Sequence, residues 1–509
     1  MSLSESASAK AWTLRELFAA GGVVAADGSD VSNIAVDSLI DDSRAASRGS
    51  CFVALRGTGR DGHEFVDAAA AGGAASVVVE RHVPAPPHLA VVRVADTRVA
   101  LAKLAAAFYR LREPNRRMQL IGVTGTNGKT TVAWMVRAIL RAAGEPTALL
   151  GTVEYDLLAE RRPAPLTTPG CLELCRCLSM ARDAGASHAA LEVSSHALDQ
   201  RRCDGLDFVA AVFTNLSGDH LDYHRTMEAY FAAKRRLFEM LAPSAVAVIN
   251  GDDAMAARLM EATRGRVVRY ALELHTAEVR ATIRRVDRGG TDFILHIGSG
   301  QVPICTSLIG RHNVLNALAA AATVHALGVD SGAIREGLEH IEGVPGRLQR
   351  AEPAGWPFSV FVDYAHTDDA LRNVLTALRP LTAGRLVCVF GCGGDRDRTK
   401  RPRMAAAVEE LADAAIVTSD NPRSEEPRAI IDEIVGGFPG ARRCDVQLEV
   451  DRRLAIEKAL AEARAGDTVL IAGKGHEDYQ IVGDRVLRFD DLEVAREWFT
   501  RSGRKREVA

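Results

Sequence analysis

Short apolar runs recur along the chain, each followed by a polar or glycine-rich turn and then by an Ala-rich amphipathic stretch. In the first block the runs Cys51–Leu55, Ser76–Val79 and Ala90–Val94 read as strands between helices. That block closes in Arg112-Glu113-Pro114-Asn115-Arg116-Arg117, a polar linker containing proline. The second block opens with a strand, Met118–Val123, and a helix, Thr131–Ala143, and continues with strands at His188–Val193, Ala210–Thr214 and Ala245–Ile249. A third block begins near Gly346-Arg347, with strands at Ser359–Asp363, Leu386–Phe390, Ala414–Thr418 and Thr468–Ile471. Strand-helix alternation of this kind predicts an α/β protein whose ligands sit at the carboxyl ends of the strands. The expected domains are residues 1–115, 116–347 and 348–509. The central one carries a P-loop-type, mostly parallel sheet with helices on both faces, and the last is a Rossmann-like α/β domain.

A length of 509 residues is too great for one core and agrees with three domains. A net charge of -3 supplies no basic field, which argues against a nucleic-acid partner. The longest apolar stretches, such as Ala68–Val79, are too short and too rich in Gly and Ala for membrane insertion. Met1–Lys10 is polar and Ser-rich, without the apolar segment of a secretory signal. The nine cysteines are scattered, and Cys171, Cys175 and Cys177 lack paired zinc-site spacing, so reduced thiols in a cytoplasm are expected.

The chemistry concentrates after the strands. Gly122-Val123-Thr124-Gly125-Thr126-Asn127-Gly128-Lys129-Thr130-Thr131 joins a strand to a helix, as a phosphate cradle does. Its glycines let backbone N–H groups approach phosphate, Lys129 reaches the terminal phosphates and Thr130 can hold Mg²⁺. Val123 stands where the strict pattern has its first glycine, so the loop is a variant. Glu192, within Leu191-Glu192-Val193-Ser194-Ser195-His196, ends a strand as an Mg²⁺-binding carboxylate would; no nucleophile elbow surrounds the serines. Asp219, His220, Asp222 and His224 crowd one loop, a density that suits metal binding as well as turn capping. Lys234-Arg235-Arg236 reads on pattern alone as a solvated basic face, although a lysine beside an ATP site could also bind phosphate or carry a modification. The last block offers Asp363-Tyr364-Ala365-His366, Gly391–Asp397, Ser419–Arg423 and Gly473–Glu477. These are charges of both signs at one sheet edge, fit for a zwitterion.

This ordered series resembles the Mur ligase family, the ATP-dependent amino-acid ligases of bacterial peptidoglycan. Thr124–Thr131, Glu192–Leu198, Asn215–His220, His312–Asn316, Gly346-Arg347, Asp363–His366 and Gly391–Asp397 carry the resemblance over nearly the whole chain. Asp420-Asn421-Pro422-Arg423, with Gly473–Glu477, resembles the signature of members that add meso-2,6-diaminopimelate to UDP-N-acetylmuramoyl-L-alanyl-D-glutamate. The resemblance implies that Gly125, Thr126, Asn127, Gly128, Lys129, Thr130 and Thr131, with Asn313, Arg347 and Asp363, bind ATP. It implies catalytic roles for Lys129, Glu192, His220 and Lys234. Thr130, Glu192, His220 and Lys234 would surround Mg²⁺, with Lys234 carbamylated. Ser43, Thr167, Thr168, Ser194, Gln200 and Arg202 would bind the UDP-muramoyl dipeptide. Arg396, Asp420, Asn421, Pro422, Arg423, Gly473 and Glu477 would bind diaminopimelate. The implied enzyme is a cytoplasmic monomer that passes through an acyl phosphate and closes its last domain to exclude water. Two departures stand out. Leu166 replaces an Asn found in some relatives, which removes a polar substrate contact, and Asp368 replaces a usual Pro, which is expected to loosen its loop. Rival readings are an L-lysine-adding ligase, folylpolyglutamate synthase, a P-loop ATPase switch and a non-enzymatic nucleotide-binding scaffold. Arg423 speaks against lysine, and the full first block speaks against the folate enzyme.

Overall fold

The computed structural model describes residues 12–26, 31–57, 59–439 and 443–507. Met1–Lys10, read above as lacking a signal, lies outside them. The chain gathers into two compact units. One comprises the described residues up to Gly122 with Glu145–Ala210 and Glu239–Ala245; the other comprises Val123–Gly144, Ala211–Phe238 and the described residues from Val246 onward.

The first unit contains a four-stranded parallel sheet, Ser38–Ile40, Ser50–Val53, Ser76–Val79 and Ala90–Arg93 in that order. Its two central strands are buried along their whole length, which is why they read as unbroken apolar runs. Phe52, Val77 and Val79 pack there against Val66, Ala69 and Ala70 of the helix Val66–Ala71. Elsewhere in the unit Thr147–Leu150 pairs in parallel with His188–Glu192 and antiparallel with Glu154–Asp156, which pairs in turn with Arg161–Pro163.

In the second unit Val246–Asn250 and Arg266–Ala271 are parallel neighbours, and an antiparallel meander follows: Val279–Asp287, Gly290–Ile297 and Gly300–Thr306. The meander escaped the reading of apolar runs because one side of Val279–Asp287 is open and its residues alternate. The last sheet has the order Gln349–Arg350, Ser359–Asp363, Thr468–Ala472, Leu386–Phe390, Ala414–Val417, Asp445–Leu448, parallel except at its first pair. Four of these were expected, two of them to the residue. Helices cover both faces, with Leu371, Leu375, Met404 and Ile431 in one core and Ile456, Leu460, Val494 and Phe499 in the other.

Two buried details hold this sheet's loops. Arg452 and Asp491 are fully enclosed and form a double hydrogen bond at 2.8 and 2.7 Å; the same guanidinium donates to the carbonyls of Ser419 and Ala472. Asp368 is the first residue of the helix Asp368–Leu378, which Thr367 caps through the Ala370 N–H at 3.2 Å. An acid on a first turn favours the helix dipole. The loop expected to loosen without proline is therefore capped instead. Among the described residues no helix is long and apolar enough to cross a membrane.

Candidate functional site

In the second unit the phosphate loop leads into the helix Lys129–Ala142, whose cap residue Gly128 has φ +86° and offers no side-chain cap. The start of that helix turns the positive end of its macrodipole toward a ligand. Side chains on the loop glycines would be intolerable: a Cβ on Gly125 would strike the Thr214 hydroxyl, and one on Gly128 would lie 2.5 Å from Asn316 Oδ1. Lys129 Nζ donates to the carbonyls of Gly125 and Thr126 at 3.0 and 2.8 Å, so it curls over its own loop. The loop is braced from the side. Asn127 N–H donates to Asn215 Oδ1 at 3.0 Å, while Asn127 Nδ2 and Ser217 Oγ both donate to Asp369 Oδ2.

Arg347 donates from Nη2 to Thr130 Oγ1 at 3.1 Å and lies over the Tyr364 ring at 4.6 Å. Asp363 accepts from the N–H groups of Leu348 and Ala365, and burial raises its pKa. Asn313 instead serves its own helix, donating to the Ile309 carbonyl and accepting from Asn316.

Lys234 is no solvated base. It is 1 % exposed, its Nζ donates to the Gly125 carbonyl at 2.8 Å, and it lies 4.2 Å from the centre of the Tyr230 ring. Burial, with Lys129 nearby, holds its pKa well below that of an ordinary lysine. The amphipathic pattern of Met227–Glu239 hid this, because a lysine on a buried face looks like one on an exposed face.

The crowded loop does not form a cluster of four metal ligands. Asp222 is exposed, and the buried His224 packs on Tyr223 and Tyr230. Among the described residues no group of three His, Cys, Asp or Glu side chains gathers as a metal site. Asp219 lies 3.4 Å from His220 Nε2 and 3.9 Å from His366 Nε2, and despite its burial these and Lys400 hold its carboxyl below the usual range.

In the first unit Glu192 is 1 % exposed. Thr152 donates to both its oxygens, from N–H at 2.7 Å and from Oγ1 at 2.9 Å. The Thr152 hydroxyl, its proton given to Glu192, accepts from Thr167 Oγ1 at 3.1 Å, and Thr168 Oγ1 donates to the Glu192 carbonyl while accepting from Ser194 N–H. Arg202 donates to the Thr168 carbonyl and to Gln200 Oε1. Thr167, Thr168, Ser194, Gln200 and Arg202 thus form one network with Glu192. Ser43 stands in the short turn Ser43–Ala45 and makes no hydrogen bond to them. Leu166 is 52 % exposed, and its carbonyl accepts from the Tyr155 hydroxyl.

The loops after the last sheet converge in the second unit. Asn421 accepts at Oδ1 from Lys474 Nζ (3.0 Å) and from Ile481 N–H (3.0 Å), and donates to Glu477 Oε2 (2.8 Å). Lys474 is fully buried, 3.6 Å from Glu477 and 3.9 Å from Asp420. The Glu477 pKa is raised by burial and by Asp420. Arg423 has φ +53°, uncommon for a side-chain-bearing residue, and donates from Nη1 to the Gly394 carbonyl at 2.8 Å. A Cβ on Gly473 would lie 2.6 Å from Asp420 Oδ2. Pro422 is buried, and Arg396 is exposed, bonded only to the Asp395 carbonyl.

Sequence reasoning did not find the hairpin Tyr479–Val482/Arg485–Arg488 that clamps these loops. Its Ile481 carbonyl accepts from Arg423 N–H, its Gly483 N–H donates to the Arg423 carbonyl, and Gln480 donates to the Asp420 carbonyl. Thr152, Asp369 and Lys474 were also overlooked. Lys474 sits inside a motif already singled out and Asp369 three residues past one, whereas Thr152 has no local signal.

An uncapped helix start over a glycine loop, beside a set of paired charges fit for a zwitterion, defines an ATP-using ligase of amino acids. The chain belongs to the Mur ligase family: residues 24–109 match the Mur ligase family catalytic domain, 123–324 the middle domain and 346–475 the glutamate ligase domain. It is 45% identical over 488 residues to the UDP-N-acetylmuramoyl-L-alanyl-D-glutamate--2,6-diaminopimelate ligase of Gloeobacter violaceus, covering 96% of this chain and 98% of that one. The enzyme of the same name from Geobacter sulfurreducens is 45% identical over 480 residues, covering 90% and 94%. A solved structure of such a ligase is 33% identical, covers 97% of this chain and 99% of its own, and superposes with a TM-score of 0.68. The MurF ligase of Thermotoga maritima in complex with ADP shares the fold, with 20% identity, 92% and 98% coverage and a TM-score of 0.62.

Proposed function

We propose that the protein is an ATP-dependent ligase that adds meso-2,6-diaminopimelate to UDP-N-acetylmuramoyl-L-alanyl-D-glutamate, forming ADP and phosphate in peptidoglycan synthesis. The observation that carries this reading is the Asn421–Lys474–Glu477 network beside Arg423, on the chain that also holds the uncapped phosphate loop. Gly125–Thr131 cradle the ATP phosphates, and Asn313, Arg347 and Asp363 serve the nucleotide. Thr167, Thr168, Ser194, Gln200 and Arg202, with Ser43, bind the UDP-muramoyl dipeptide. Arg423 and Arg396 take a diaminopimelate carboxylate; Asp420 and Glu477 take ammonium, with Asn421, Pro422 and Gly473 shaping the loop.

The residues fit Mg²⁺, which needs few protein ligands when phosphates and water complete its shell. Within the second unit Thr130, His220 and a carbamate on Lys234 would hold it. The enclosed, weakly basic Lys234 amine suits carbamate formation, because the neutral amine is the nucleophile toward CO₂. When bound, Mg²⁺ neutralises charge that develops on the phosphoryl group. Lys129 adds a second cation there once it leaves its loop carbonyls for phosphate. The substrate's terminal carboxylate attacks the γ-phosphorus, ADP departs, and the diaminopimelate amine displaces phosphate from the acyl phosphate.

The three domains 1–115, 116–347 and 348–509 divide this labour among muramoyl substrate, ATP and amino acid. The protein acts as a cytoplasmic monomer, with no nucleic-acid partner and no membrane insertion. Phosphate release with the UDP-muramoyl dipeptide, amino acids supplied one at a time, tests the assignment. Turnover should require diaminopimelate; equal turnover with no amino acid would instead indicate an ATPase switch.

A further inference from the structure

The helix Lys400–Leu411 begins with three cations, and the middle one is paired with two carboxylates. Arg401 is fully buried and donates to Glu425 and Glu433 from two nitrogens. Lys400 is 8 % exposed yet has no hydrogen bond and no ion-pair partner within 4.0 Å among the described residues. Arg403, one turn on and on the same face, has Nε and Nη2 shut from solvent without a hydrogen bond, and its nearest acid, Asp368, is 3.6 Å away. A buried cation without a hydrogen-bonded counter-ion is costly, so Lys400 points to an anion that binds there, with the partly exposed Arg403 at its side already sharing Asp368.

The position says which anion. The Lys400 charge reaches Asp219 and His366 on one side and Asp420 on the other. Asp219 continues the Ser217-Gly218 loop that is bonded to the phosphate loop through Thr126 and Asp369, and Arg403 Nη1 lies 3.5 Å from where a Gly218 Cβ would stand. Asp420 opens the amino-acid loop. Lys400 therefore stands where the nucleotide end meets the amino-acid end, the place where the reacting carboxyl must lie.

We propose that Lys400, with Arg403 beside it, binds the phosphoryl oxygens of the acyl phosphate as that intermediate forms. The inference rests on the ligase reading above. In the step concerned a carboxylate oxygen–phosphorus bond forms while the bond from phosphorus to the bridging oxygen of ADP breaks, its electron pair leaving with ADP. Charge moves from the nucleotide toward the carboxyl end, and a fixed ammonium there lowers the barrier.

The test is rapid-quench formation of ADP in a single turnover, with ATP and the UDP-muramoyl dipeptide bound and no amino acid present. Lys400→Met should slow this step about 100-fold, the scale of losing one preorganised donor. Calorimetric affinities for ATP and for the dipeptide should stay unchanged, and Lys400→Arg should recover part of the rate. The proposal is overturned if Lys400→Met forms ADP at the wild-type rate while KM for diaminopimelate rises, for then Lys400 holds the amino acid. It is equally overturned if both affinities collapse and Lys400→Arg fares no better, a structural role. A wild type that forms ADP but never joins diaminopimelate would sink the function above and leave Lys400 in place.

Discussion

Lys129 and Lys234 meet at one carbonyl, that of Gly125, and the two should fail differently. Lys129→Ala removes the cation that reaches the phosphates, and steady-state kcat should fall about 100-fold or more with the fold intact, as for other preorganised contacts. Lys234→Ala should be nearly inactive yet partly rescued by a small carboxylate that replaces the carbamate, read as restored phosphate release. An active enzyme whose crystal structure shows Lys234 as a plain ammonium would refute that role. Arg423 tests the choice of amino acid. Its guanidinium is half-exposed, so water screens part of the loss when a ligand offers no distal carboxylate. Wild type should therefore prefer diaminopimelate over lysine by about 100-fold in kcat/KM, corresponding to about 3 kcal/mol. Arg423→Ala should narrow that ratio and leave ATP affinity alone; an unchanged ratio removes Arg423 from specificity.

Parallel strands that are buried on both faces announce themselves as apolar runs, and Ser76–Val79, Ser359–Asp363 and Leu386–Phe390 were legible to the residue. Edge strands and hairpins are half-wet and short. Asp445–Leu448 and Tyr479–Val482 carry no such run, so the clamp on the amino-acid loop stayed hidden although the loop itself was plain. The candidate site was legible where function sits in a contiguous motif and illegible where a distant side chain supplies the support, as Thr152 does for Glu192. Even the motif misled at Asn215–His224, where density in sequence did not become a cluster in space. The clamp gives a prediction of its own. Gln480→Ala frees the Asp420 carbonyl and should raise KM for diaminopimelate several-fold, about 1 kcal/mol for one lost hydrogen bond. KM for ATP should not move, which distinguishes a loosened loop from a loosened fold.

At the scale of the molecule, segments far apart in sequence share each task. The phosphate loop near residue 125 is braced by Asp369, and the loop at Asp420 is held by the hairpin near residue 480. The enclosed Arg452–Asp491 pair extends this to the end of the chain. Asp491 opens the helix Asp491–Glu507, so that helix supplies the counter-ion of a guanidinium that ties the Ser419 and Ala472 carbonyls together. Those carbonyls directly precede Asp420 and Gly473. A protease or a premature stop that removes the chain from Asp490 onward would therefore strand a positive charge inside the protein and let both loops drift apart. The shortened chain should still hold nucleotide while losing its grip on diaminopimelate.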